Sequence, residues 1–135
     1  MGTKLLIVDD DADIRRVLRG ILTPLGTVLE AAGGAEALIL VRDEKPSLML
    51  LDVSMPVMDG LTVLTDALSI DPKLIVLMLT GELDLNTARR ALDAGARAYV
   101  TKPFDPSTLC GDIRRLAGLD AVADDNPGRP WRVRR

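Results

Sequence analysis

Residues 5–11 read Leu-Leu-Ile-Val-Asp-Asp-Asp, four consecutive apolar side chains running straight into three carboxylates. An unbroken apolar run of this length fits a strand buried on both faces, because a solvated face would demand polar residues at every second position. The pattern returns at Leu48-Met49-Leu50-Leu51, which ends at Asp52, and at Leu74 to Leu79, which ends at Thr80-Gly81. Thr27 to Ala31 reads as a further short strand. Ala98-Tyr99-Val100-Thr101 reads as the last one and is followed by Lys102-Pro103.

Helix-period segments fill the intervals. Ile14, Val17, Leu18, Ile21, Leu22 and Leu25 recur at spacings of three and four, with Asp11 or Asp13 available as the cap and Pro24-Gly26 as the stop. A second helix is expected from Gly33-Gly34 to about Glu44, ahead of Pro46. A third carries Leu61, Leu64 and Leu68 and stops before Pro72. A fourth, with a weaker apolar pattern, runs from about Asp84 to Ala94 and closes at Gly95. The fifth begins at Pro106 and carries Leu109, Ile113, Leu116 and Ala117. The order βαβαβαβαβα, with solidly apolar strands, predicts an α/β fold: a doubly wound parallel sheet with helices on both faces. Ligands of such sheets bind beyond the carboxyl ends of the strands, so functional residues are expected to end strands rather than begin them.

Composition narrows the chemistry. The chain has 135 residues, enough for one self-supporting domain, with 47% hydrophobic and 27% charged residues. It has no histidine, which leaves carboxylates, lysine or a partner to supply any acid–base or phosphocarrier role. One cysteine, Cys110, excludes an internal disulfide and reads as an edge-of-core residue. A net charge of −3 argues against direct nucleic-acid binding. No apolar run approaches a membrane span or a signal-peptide core, so a cytoplasmic protein without membrane contact is expected. Residues 118–135 turn to Asp, Pro, Gly and Arg, lose all periodicity, and read as a flexible polar tail ending in arginine, with Trp131 as an exposed tail residue.

The strand-end rule gathers Asp9 and Asp10 from the first strand, Asp52 from the third, Thr80 from the fourth and Lys102 from the fifth. Carboxylates crowded on one rim repel, and a hard divalent cation resolves the conflict. Mg²⁺ suits the set best, because it accepts a few carboxylates and keeps water for the rest of its octahedron. A cation beside one carboxylate, with an ammonium and a hydroxyl opposite, suits phosphoryl transfer to that carboxylate.

The chain resembles the receiver domain of two-component response regulators, of the chemotaxis-receiver type. The matching pieces are Ile7-Val8-Asp9-Asp10, Leu51-Asp52 with Met55-Pro56 and Asp59-Gly60, Leu79-Thr80-Gly81, Gly95-Ala96, and Tyr99 leading to Lys102-Pro103-Phe104. They occur in family order and spacing over residues 4 to 117, so residues 1–117 are expected to form the receiver. The resemblance implies a flavodoxin-like five-stranded sheet of order 2-1-3-4-5. It also implies Asp52 as phosphoacceptor, with Mg²⁺ held by Asp9, Asp10, Asp52 and the carbonyl of Ser54. Lys102 would contact the phosphoryl oxygens, while Thr80 and Tyr99 would form the switch pair.

The function this implies is a phosphorylation-activated switch. A sensor histidine kinase or phosphotransfer protein would donate the phosphoryl group. The chain would catalyse its own phosphorylation and slow dephosphorylation without being a metabolic enzyme. The face built from helix four, strand five and helix five would then control a downstream protein, with the chain acting as a monomer or a phosphorylation-dependent dimer. Ala98 stands where family members that dimerise through that face often carry an acid, which argues against that dimer mode. Two other classes compete. A receiver fold used only as a binding scaffold would be expected to have lost an acid or the lysine, and none is lost. A dedicated aspartate phosphatase would carry a second aspartate where Ser54 stands.

Overall fold

The computed structural model describes residues 3–52, 60–80, 85–101 and 105–116. They form strands β1 (Lys4–Val8), β2 (Thr27–Ala31), β3 (Leu48–Asp52), β4 (Ile75–Thr80) and β5 (Ala98–Thr101). The helices are α1 (Ala12–Leu22), α2 (Gly34–Glu44), α3 (Gly60–Ile70), α4 (Leu85–Asp93) and α5 (Pro106–Leu116). All pairings are parallel and the sheet order is β2-β1-β3-β4-β5, the expected flavodoxin-like arrangement.

Strand periodicity divides the core into two layers. Leu5, Ile7, Leu48, Leu50, Leu77 and Leu79 face Leu18 and Leu22 of α1 and Leu109 and Ile113 of α5. The alternate residues Leu6, Val8, Met49, Leu51, Val76 and Met78 face α2, α3 and α4 through Ala37, Val41, Val63, Leu64, Ala67 and Ala91. Both faces of the central strands are thereby covered, which is why their sequences read as apolar runs. Every residue of β3, Asp52 included, is buried.

The helix ends follow local chemistry. Asp11 caps α1, its carboxylate accepting the backbone N–H groups of Asp13 (2.9 Å) and Ile14 (3.4 Å). At α2 the Glu36 carboxylate reaches back to the N–H of Ala32 (3.0 Å), satisfying a donor that no intrahelical carbonyl reaches. The periodic pattern that extends to Leu25 is α-helical only to Leu22; Thr23–Leu25 tighten into a single 3₁₀ turn containing Pro24. Leu25 still packs on the α1/α5 layer, so the apolar spacing is met by a different backbone. Two glycines are required. A Cβ on Gly26 would lie 2.3 Å from the Thr3 carbonyl oxygen, where β1 and β2 start side by side. Gly95 follows α4 with φ +116°, and a Cβ there would lie 2.7 Å from Leu68 Cδ1.

Cys110 is half-buried and lines a groove between α1 and α5 with Val17, Ile21 and Arg114, in keeping with an edge-of-core cysteine. Among the described residues, no helix is long and apolar enough to cross a membrane. The expected tail, residues 118–135 with Trp131, lies outside the described residues.

Candidate functional site

The β1·β3 register pairs Val8 with Leu51, so the residues that follow, Asp9 and Asp52, sit side by side at the carboxyl ends of neighbouring strands. One carboxylate oxygen from each of Asp9, Asp10 and Asp52 lies within 4.8 Å of the others. Asp9 is 1% exposed and Asp52 is 5% exposed, while Asp10 stands open to solvent at the rim. The site thus has two carboxylates withdrawn from water and a third at its mouth. Like charges this close repel strongly where water is scarce, and a divalent cation with a preference for oxygen relieves the repulsion. The donor set of three carboxylates therefore fits Mg²⁺, a hard cation that takes oxygen ligands.

The local fold fixes Asp9 in three directions. Its backbone N–H donates to the Ala31 carbonyl of β2 (3.1 Å). Its carboxylate Oδ1 accepts the N–H of Asp11 (2.9 Å), an Asx turn that steers the chain from β1 into α1. Its carbonyl oxygen accepts a hydrogen bond from Arg15 Nη1 (2.6 Å). The same guanidinium donates through Nε to Glu30 Oε1 of β2 (3.1 Å), and Arg19 Nε donates to Glu30 Oε2 (2.5 Å). The Arg19 hydrogen bond above all, with help from Arg15, holds the Glu30 carboxyl below its ordinary range.

The remaining candidates are placed unevenly. Thr80 ends β4, one residue past the Leu79 that pairs with Asp52, so its backbone stands on the same edge of the sheet. Tyr99 lies on β5, paired with Met78, and is half-buried against the α2/α3/α4 layer. Ser54, Lys102 and the segments Met55 to Asp59 and Gly81 to Asp84 lie outside the described residues. The described geometry thus brings Asp9, Asp10 and Asp52 together and puts Thr80 on their edge. Sequence reasoning missed Arg15, Arg19 and Glu30. The available signal was two arginines four residues apart on α1, one helical turn, with a glutamate between apolar residues Leu29 and Ala31 of β2.

The comparisons agree with this geometry. The family model of the response regulator receiver domain matches residues 5–114. The "Probable transcriptional regulator ycf27" of Porphyra purpurea is 44% identical over 128 residues, which are 94% of this chain and 52% of that protein. The "Chemotaxis protein CheY" of Thermotoga maritima is 34% identical over 121 residues, covering 87% of this chain and 99% of that one. The crystal structure of a CheY-like receiver domain protein from Methanospirillum hungatei superposes with a TM-score of 0.83 at 33% identity, covering 88% of this chain and 96% of that chain. The chain spans about half the length of the ycf27 relatives and a response regulator similar to it, and nearly all of the CheY protein. With its sheet order, its acid cluster and these relatives, the chain belongs to the response regulator receiver domain family.

Proposed function

We propose that the chain is a phosphorylation-operated switch in which Asp52 is the phosphoacceptor. The supporting observation is the convergence of Asp9, Asp10 and Asp52 within 4.8 Å at the ends of β1 and β3. In this reading a histidine kinase or phosphotransfer protein presents phosphohistidine, which the chain itself lacks any residue to form. A carboxylate oxygen of Asp52 attacks the phosphorus in line. The O–P bond forms as the N–P bond breaks, and the electron pair returns to the donor's imidazole nitrogen. Asp9, Asp10, Asp52 and the Ser54 carbonyl would hold Mg²⁺, whose positive charge offsets the repulsion between the carboxylates and the incoming phosphoryl oxygens. Lys102 neutralises a further phosphoryl oxygen, and the Thr80 hydroxyl donates to another once the group is in place. Thr80 and Tyr99 carry the change to the α4–β5–α5 face, where a downstream protein binds one state better than the other.

The test is intact-mass spectrometry after incubation with acetyl phosphate. The expected result is one phosphoryl adduct that requires Mg²⁺ and is absent from Asp52→Asn, with the variant's circular dichroism unchanged. Absence of an adduct with any donor would support a scaffold that acts by binding alone. Stoichiometric labelling of Asp52→Asn at one site would refute the assignment of the acceptor.

A further inference from the structure

We infer that Arg15 is a positioning residue for the metal-binding acids, acting through the peptide that joins Asp9 to Asp10. The inference rests on the receiver-site reading above. The Asp9 carbonyl belongs to that peptide, so the hydrogen bond from Arg15 Nη1 (2.6 Å) fixes the direction in which the chain leaves the buried Asp9 and presents Asp10. Among the described residues no hydrogen bond holds the Asp10 carboxylate, so its placement is set by its backbone. The backbone is in turn set from both sides: the Asp9 N–H is tied to β2 and its carbonyl to α1.

Arg15 is itself prevented from turning away. Its Nε donates to Glu30 Oε1 (3.1 Å), and Glu30 stands on β2 opposite Ile7, two residues before Asp9. A planar guanidinium can make these two bonds at once in a fixed relative direction; an ammonium carries the same charge but lacks the fork. Arg19 holds the other Glu30 oxygen and has no bond to Asp9, which makes it a matched control on the same helix and the same glutamate. Groups that orient metal ligands from behind typically change metal affinity by about 10–100-fold when removed. Because Asp9 retains two other hydrogen bonds, the effect of removing Arg15 falls at the lower end of that range.

The experiment is calorimetric titration of the full chain with Mg²⁺, beside urea unfolding without Mg²⁺, for the unmodified chain, Arg15→Met, Arg15→Lys and Arg19→Met. The expected outcome is about tenfold weaker Mg²⁺ binding for Arg15→Met and about threefold for Arg15→Lys. Arg19→Met should bind within about twofold of the unmodified chain despite a similar loss of urea midpoint. Should Arg15→Met fail to fold, Arg15→Lys carries the test, and unaltered affinity in it overturns the inference. Equal weakening in the Arg15 and Arg19 variants overturns it too, since the effect would then track the loss of surface charge or stability. Lack of Mg²⁺ uptake by the unmodified chain overturns the receiver-site reading and this inference with it. Uptake by the unmodified chain with none of it lost in Arg15→Met overturns the inference alone.

Discussion

The corner where β1 meets α1 and the flank carried by α4 are held in different ways. At the corner, Leu18 and Leu22 are fully buried beneath the helix, and Arg15, Arg19 and Glu30 tie it to β2. On the flank, the buried residues among the described side chains of α4 are Ala88 and Ala91, and Ala96 continues the small-residue surface toward β5. A leucine fills far more of a core layer than an alanine, so the two helices differ in how much apolar surface their displacement would expose. Of the acids that are to meet a cation, Asp9 and Asp10 sit on the firmly held corner and Asp52 ends the neighbouring strand β3. Among the elements expected to respond to phosphorylation, α4 is joined to the fold by described side chains that are small and cost little to displace. In the proposed switch, one sheet would thus join a fixed corner to a flank that changes its packing.

The sharpest way to break this comparison is to truncate one side chain in each half. Leu22→Ala removes a fully buried side chain from the α1/α5 layer and should lower stability by about 2–5 kcal/mol in urea unfolding. A loss near zero would mean that α1 is not anchored by its leucines. Gly95→Ala, at the end of α4, forces a side chain into a left-handed backbone against Leu68 and should cost about 1–2 kcal/mol. Ala91→Gly within α4 should cost about 1 kcal/mol, most of it the helical penalty of glycine. A cost for Ala91→Gly that equals Leu22→Ala would abolish the contrast.

The smallest expected effect sharpens the comparison through pH. Glu30 has its carboxyl held below its ordinary value of 4.5, by the Arg19 hydrogen bond first. A depressed carboxyl contributes stability that is fully present above its unfolded value and is lost as pH falls through its folded value. The loss therefore belongs to the acid range below about pH 4.5. Glu30 keeps 29% of its side-chain surface in water, so its share is under about 1 kcal/mol. Unfolding midpoints of Glu30→Gln and the unmodified chain should differ at pH 6 and converge toward pH 3. A difference that widens as the pH falls would contradict the assignment.

Most of the architecture was legible because burial on both faces leaves an unmistakable trace. Leu5 to Val8, Leu48 to Leu51 and Ile75 to Leu79 are apolar at every position, and the strand-end rule then singles out Asp9, Asp10 and Asp52. The end of α1 was less legible: the spacing of Ile21, Leu22 and Leu25 fits an α-helix and a 3₁₀ turn nearly equally, and Pro24 decided between them. The support behind the acids was the least legible part, because the charged residues on α1 and β2 do not by themselves say which of them meet. It depends on the β1·β2 register, which sets Glu30 beside Ile7 and within reach of two arginines on another element. The role given to Ser54 rests on family resemblance and that of Lys102 on the strand-end rule as well, and both residues lie outside the described part of the chain.

Backbone hydrogen exchange, followed by mass spectrometry with and without Mg²⁺ and beryllofluoride as a phosphoryl mimic, tests the central claim most directly. Charge placed on Asp52 should change exchange along α4 (Leu85–Asp93) and β5 (Ala98–Thr101) and leave the lower half of α1, around Leu18 and Leu22, at its resting rate. Equal change in both halves, or none in α4 and β5, would contradict a switch built from one fixed half and one responsive half.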